Sequence, residues 1–143
     1  MPRIFYYKEE GIIMTPQELI HFAKDAMQQS YSPYSGYTVG AALLCADGTV
    51  YTGCNIENAS YTPTVCAERT AFFKAITDGK REFSAIAVCG GKDGVIEGFF
   101  PPCGVCRQVM REFCSDDFLI HMVGKEQLKT RTLSQLLPDS FSL

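Results

Sequence analysis

The sequence predicts an α/β protein built on a single sheet with helices packed on its faces, and three observations lead there. Apolar residues repeat at helical spacing in two stretches with helix-start chemistry, Thr15 to Met27 and Cys103 to Phe113. Several short runs rich in Ala, Val and Ile sit between turn signals, as buried strands do. The order from Phe83 onward is strand, helix, strand, with no repeat, low-complexity tract or second linker to divide the chain.

The chain has 143 residues, 46% of them hydrophobic and 20% charged, which is material for one well-packed domain. We read residues 1–14 as an N-terminal extension and 15–143 as that domain. Residues 1–13 mix aromatic, basic and acidic side chains without a clear period, as a short tail or an arm on a neighbouring subunit would. No run reaches the roughly eighteen apolar residues of a membrane span, and the first residues lack the apolar core of a secretory signal. A cytoplasmic protein is therefore expected.

Thirteen basic against sixteen acidic residues leave a net charge of -3. That balance disfavours a polynucleotide partner, which usually needs a basic surface to neutralise phosphates. Seven cysteines, an odd number, fit a disulfide framework poorly. In a reducing compartment a Cys-x-x-Cys pair points instead to metal or redox chemistry.

In chain order, Thr15 caps the first helix, Pro16 occupies its first position and Glu18 completes a capping box. Leu19, Phe22, Ala23, Ala26 and Met27 share one face. His21 beside that stripe reads as a surface or packing residue. Ser30 to Gly36 is a loop of serine, proline and glycine. Tyr37 to Ala46 and Thr49 to Ile56 form an antiparallel pair about the Asp47-Gly48 turn. Asn55 to Tyr61 is polar and turn-prone, and its plainest reading is a solvated connector.

A helix then runs from Cys66 to Ile76 and stops at Asp78-Gly79, and a buried strand from Phe83 to Cys89 ends at Gly90-Gly91. After a loop, the helix from Cys103 passes Val109, Met110 and Phe113, and the strand Phe118 to Val123 follows. Gly124 to Gln127 turns the chain into a last strand, Leu128 to Arg131. Thr132 and Gln135 make a second capping box for a short helix ending at Pro138.

The chemistry concentrates at two of these helix starts. Pro63 to Lys74 holds Cys66, Glu68 and Arg69 within four residues, and thirty-seven positions after Cys66 comes Cys103-Gly104-Val105-Cys106. Cys66, Cys103 and Cys106 make three candidate metal ligands, the number a catalytic zinc commonly takes while keeping its fourth position open. Helix N-termini favour thiolates, but three of them on Zn²⁺ leave one surplus negative charge. Arg69 is placed to donate to a ligand sulfur and offset part of it, with Gln108 a weaker candidate for the same work.

Glu68, two residues from Cys66, is placed to exchange protons with a water activated by the metal. Cys103 and Cys106 alone could also be a redox dithiol. The three cysteines could also join Cys89 or Cys114 in a closed structural site. Cys45, Cys54, Cys89 and Cys114 are most simply packing residues.

These motifs together resemble the small cytidine deaminases, homotetrameric zinc enzymes of pyrimidine salvage. The resemblance spans about residues 15–141. It rests on Ser32-Pro33-Tyr34-Ser35 with Val39-Gly40-Ala41-Ala42, on Asn55-Ile56-Glu57-Asn58-Ala59, and on Cys66-Ala67-Glu68-Arg69-Thr70-Ala71. Pro102 to Gln108 and Leu136-Leu137-Pro138 before Phe141 complete it. It implies a three-layer α-β-α fold with a mixed sheet of about five strands, and Zn²⁺ as cofactor.

The reaction it implies is hydrolytic deamination of cytidine and 2′-deoxycytidine, with Glu68 serving N3 and the hydrated C4 of the base. In such enzymes the residues matching Asn55 and Glu57 hold the ribose hydroxyls, the backbone of Ala67 meets the base carbonyl, and Tyr37 lines the base pocket. Phe141 reaches a neighbouring subunit's site and Tyr61 helps at that border. A carboxylate at Glu57 would accept from hydroxyls and repel a phosphate, so a free nucleoside is the expected substrate. Here Tyr37 replaces the usual phenylalanine, Pro101-Pro102 doubles a single proline, and only Ser142-Leu143 follow Phe141. Deaminases of modified cytosine nucleosides such as blasticidin S carry the same metal motif and are the alternative enzyme class. A non-enzymatic zinc module is the alternative outside catalysis.

Overall fold

A computed structural model describes residues 6–8 and 11–143. A two-stranded antiparallel pair, β1 (Tyr6–Lys8) and β2 (Gly11–Met14), precedes α1 (Pro16–Met27). There follow β3 (Tyr37–Cys45), β4 (Val50–Cys54), α2 (Ala67–Thr77), β5 (Phe83–Lys92), α3 (Gly104–Phe113), β6 (Leu119–Val123), β7 (Leu128–Thr132) and α4 (Leu133–Leu136). The segment read from sequence as lacking a period thus contains a backbone pairing, while residues 1–5, 9 and 10 of it lie outside the described residues. No described helix is long and apolar enough to cross a membrane.

The main sheet has the order β4-β3-β5-β6-β7 and is mixed: β5 and β6 run parallel, and every other neighbouring pair is antiparallel. Because β3 opposes both β4 and β5, the strands β4, β5 and β6 all point the same way. The crossovers β4-α2-β5 and β5-α3-β6 therefore progress in one direction across the sheet. The right-handed rule for such connections puts both helices on one face, with both N-termini at the carboxyl ends of the strands. This topology brings the two cysteine motifs together.

Alternation along the strands divides the core into two layers. Ala41, Leu43, Ile86, Val88, Ile120 and Met122 face α2 and α3, packing with Phe72 and Met110. Ala42, Leu44, Ala85, Ala87 and Cys89 face α1, where Leu19, Ala23 and Met27 cover them. Met14, just before the helix, joins this second layer.

Two glycines set how closely the helices approach. A Cβ on Gly40 would lie 2.0 Å from the Ala23 carbonyl oxygen and 2.5 Å from the Met27 nitrogen. One on Gly53 would lie 2.4 Å from the Ala67 oxygen. The backbones of α1 and α2 rest directly on β3 and β4.

The capping boxes at Thr15 and Thr132 are both formed. Two strand ends and one residue's place on a helix face differ from the sequence reading. The second strand of the hairpin ends at Cys54 rather than Ile56, because residues 55–57 leave β4 to bridge two other segments. Gly90 and Gly91 do not end β5, since they pair with Val39 and Thr38 and the strand continues to Lys92. They admit close neighbours instead: a Cβ on Gly91 would stand 1.7 Å from the Val95 oxygen, and one on Gly90 would meet the Phe100 ring at 3.0 Å. Phe22, assigned to the buried face of α1, is 40% exposed; helical spacing marks a stripe, and the sheet covers only its centre.

His121 on β6 is fully buried, between Ala87 on β5 and Thr130 on β7, with Nδ1 2.7 Å from Thr130 Oγ1. Burial disfavours the imidazolium and lowers its pKa to about 4. The unfolded chain, with an ordinary histidine, binds this proton more readily. The contribution is therefore complete above about pH 6.5 and is lost as pH falls toward 4.

Two outcomes follow for stability. Gly40→Ala should lower the unfolding free energy by about 2 to 4 kcal/mol in urea titrations, because helix backbone has to move. Between pH 7 and pH 5 the wild-type chain should lose about 1 to 2 kcal/mol through His121. His121→Asn should remove that part of the pH dependence, read as a smaller change in urea midpoint.

Candidate active site

Cys66 is the N-cap of α2 and Cys103 the N-cap of α3, with Cys106 in the first turn of α3. Their three sulfurs lie within 4.8 Å of one another, and they form the one such group of possible metal ligands among the described residues. Cys66 Sγ and Cys103 Sγ are 3.7 Å apart. Two sulfurs bound at about 2.3 Å to one ion with tetrahedral angles would stand about 3.8 Å apart, so the spacing fits zinc. The Cys106 amide donates to Cys103 Sγ at 3.4 Å, and Arg69 Nη2 donates to Cys66 Sγ at 3.2 Å. Arg69 thus stands where the surplus negative charge of three thiolates would be.

The thiols are already polarised. A hydrogen bond from Cys106, and then the Arg69 guanidinium, hold the Cys66 thiol down to about 5. The same hydrogen bond and burial push Cys106 up. A divalent cation displaces the protons of such thiols when the ligands bind as thiolates. The donor set is soft, and no fourth His, Cys, Asp or Glu among the described residues joins it. Both features fit a zinc that keeps one position open, not a closed structural site.

Glu68, in the first turn of α2, is only 3% exposed although it is a carboxylate. Burial raises its pKa to about 7, with the negative charge of Cys66 adding to the effect. A carboxyl group so placed can hold or release a proton near neutral pH. Ala67 opens the same helix and is buried, in the turn whose amides lack intrahelical acceptors.

Residues 55–57 are extended between two other segments of the chain. Ile56 exchanges backbone hydrogen bonds with Val65 at 3.0 Å, the Tyr31 amide donates to the Asn55 oxygen at 3.1 Å, and the Glu57 amide donates to the Tyr31 oxygen at 2.8 Å. The polar connector is therefore a structural bridge from the 30–36 loop to the residue before Cys66. Asn55 Oδ1 accepts from the Val39 amide at 2.9 Å and from the Ser30 hydroxyl, while Nδ2 donates to the Tyr37 oxygen at 2.8 Å. Glu57 accepts from the Tyr34 amide at 2.9 Å, the Ser35 amide at 3.1 Å and the Ser35 hydroxyl. These bonds, that of the Ser35 hydroxyl first, hold its carboxyl below the usual range, so it stays an acceptor.

The aromatic residues are placed more openly. Tyr37 is 46% exposed, with its ring centroid 6.2 Å from that of Phe100. Tyr61 adopts φ +54° and is 73% exposed, its ring 6.2 Å from that of Tyr34. Phe141 is 68% exposed near the C-terminus, and Gln108 Nε2 donates to its carbonyl oxygen at 3.4 Å. Gln108 thus reaches the C-terminal segment where the sequence suggested a sulfur.

Its neighbour Arg107 was not singled out from the sequence. Its Nε donates to the Pro102 oxygen at 2.8 Å and its Nη1 to the Leu136 oxygen at 2.6 Å, pinning the turn before Cys103 to α4. Only its position directly after Cys106 marked it. Of the other cysteines, Cys45, Cys89 and Cys114 are buried and Cys54 is partly so, its thiol facing the Gln29 oxygen at 3.4 Å.

Comparison with known proteins agrees with this geometry. The family model described as the cytidine and deoxycytidylate deaminase zinc-binding region matches residues 14–122. A cytidine deaminase of Sporosarcina psychrophila is 48% identical over 130 residues, covering 90% of this chain and 93% of its own length. One of Halalkalibacterium halodurans is 47% identical over 130 residues, covering 90% and 96%. The crystal structure of cytidine deaminase from Burkholderia pseudomallei superposes with a TM-score of 0.83 at 45% identity, over 90% of this chain and 100% of that one. That from Mycobacterium tuberculosis gives 0.76 at 39% identity, over 89% and 97%.

Metal analysis provides a direct check on the three sulfurs. Cys106→Ala should weaken zinc binding by more than about 100-fold in competition with a chelator. Arg69→Gln should weaken it by about 10- to 100-fold, as loss of a group bonded to a ligand does.

Proposed function

The chain belongs to the cytidine and deoxycytidylate deaminase zinc-binding family, and from this membership we propose that Cys66, Cys103 and Cys106 hold zinc for Glu68-assisted deamination of a nucleoside. It is an enzyme that deaminates cytidine, releasing ammonia. The observation that carries the assignment of residues is the buried Glu68 in the first turn of the helix that Cys66 caps. When bound, the zinc supplies the Lewis acidity that makes water nucleophilic near neutral pH.

The protein side chains do the rest. Glu68 accepts a proton from the water that adds to C4 and delivers it to N3. It then carries the second proton to the departing amino group, so that ammonia leaves and C4 becomes a carbonyl. Its burial keeps the carboxyl basic enough to hold the proton between these steps. Arg69 offsets charge at Cys66 and thereby keeps the water acidic enough to lose that proton. The Ala67 backbone meets the base carbonyl and Tyr37 lines the base pocket.

Asn55 and Glu57 take the sugar hydroxyls. Asn55 already spends its carbonyl oxygen and one amide hydrogen on the backbone and so offers one remaining donor, while Glu57 is a fixed acceptor. An anionic acceptor there favours nucleoside over nucleotide, and cytidine and 2′-deoxycytidine are both proposed as substrates. The products, uridine and 2′-deoxyuridine, are consistent with the pyrimidine salvage role we propose.

The active form we propose is a homotetramer with shared sites. The exposure of Tyr61 and Phe141 on the single chain supports it, as do Phe73 and Val105 on an open apolar groove between α2 and α3. Seven free cysteines, three of them needed as thiolates, support a cytoplasmic location.

The test is loss of absorbance and release of ammonia from cytidine, 2′-deoxycytidine and a cytosine-containing RNA. Both nucleosides should react and the RNA should not. Glu68→Ala should retain zinc while kcat falls by about 10²- to 10⁴-fold or more. A zinc-loaded Glu68→Ala protein with near wild-type turnover would refute the mechanism.

A further inference from the structure

We propose that Lys92 is a positioning residue of the nucleoside site, acting through Ser35 to hold the acceptor Glu57 where a sugar hydroxyl meets it. The inference rests on the assignment of Glu57 made above. Lys92 is the last residue of β5, beyond the two glycines, and its Cα pairs with Tyr37 at the start of β3. Its Nζ donates to the Ser35 oxygen at 2.7 Å. Ser35 in turn gives both its amide and its hydroxyl to Glu57. The residue therefore has a cation on its acceptor and a carboxylate on its donors, and links the two.

The side chain is held on this path although it is exposed. The ammonium lies 5.2 Å from the centroid of the Tyr37 ring, where the face of the aromatic attracts a cation. Gly36, at φ +75°, leaves the space that the lysine crosses: a Cβ there would stand 3.3 Å from both Lys92 Cε and Nζ. The next residue closes the same turn, since the Asp93 amide donates to the Gly36 oxygen at 2.8 Å. Unfixed, the Ser35 turn would have to be ordered by the substrate itself, and that ordering would appear as weaker binding and not as slower chemistry.

Lysine 92 can be neutralised without losing its stem by Lys92→Met, whose thioether still packs on the Tyr37 ring. The zinc-loaded wild type, Lys92→Met and Lys92→Arg are compared for kcat and KM on cytidine. The competition constant of 2′,3′-dideoxycytidine, which has neither a 2′- nor a 3′-hydroxyl to offer Glu57, is measured on each. Lys92→Met should raise the KM for cytidine by about three- to tenfold with kcat and the dideoxy constant each within about twofold. Lys92→Arg, which keeps the donor and the charge, should restore KM.

If the wild type turns over cytidine while Lys92→Met leaves its KM unchanged, or weakens both ligands equally, the role of Lys92 is overturned and the deaminase reading stands. Wild-type protein that binds both ligands equally would instead overturn the assignment of Glu57, and this inference with it.

Discussion

The site depends on three sulfurs from two helix starts meeting within the reach of one ion. Neither helix alone supplies enough ligands, and each places its positive end at the cluster, where anionic sulfur is favoured. What brings them together is sheet topology. β4, β5 and β6 point the same way, so two right-handed crossovers running in one direction must lie side by side on one face. Gly53 lets α2 settle directly on β4, and the Cys66 cap is held at that depth.

The remaining parts of the site are fastened to this pair of helices. Val65, next to Cys66, bridges Ile56, and Ile56 bridges Tyr31 in turn, so the polar segment and the serine-rich loop are carried by the same backbone ladder. Asn55 and Glu57 each spend most of their hydrogen-bonding capacity on that framework. On the other side, Arg107 joins the turn before Cys103 to α4, and Gln108 meets the segment carrying Phe141. Asn55 and Glu57 are thus set by bonds to backbone, which order them before binding and reduce the entropy lost on association.

Much of this was legible in the sequence because the signals are local. Both capping boxes, the Asp47-Gly48 turn, the alternating strands and the cysteine motifs at helix starts lie within a few residues of what they determine. The misreadings occur where a distant neighbour overrides a local preference. Gly90 and Gly91 look like a strand end, but their missing side chains make room for Val95 and Phe100 while the ladder continues through them. Phe22 obeys helical spacing yet lies beyond the edge of what the sheet covers. Arg107 carries no local sign of its partner at Leu136, twenty-nine residues away.

By itself the sequence determined the elements from Thr15 onward, the family and the chemical character of the metal site, since residue types and short spacings suffice for these. Tertiary structure alone decided that Cys66 meets Cys103 across thirty-seven residues, that Glu68 is buried enough to stay basic, and that a connector read as solvated is a bridge holding Asn55 and Glu57. The physical reason is the same in each case. Burial, sulfur-to-sulfur distance and hydrogen-bond partners are set by which segments pack together, and strand order with the hand of its crossovers specifies that packing.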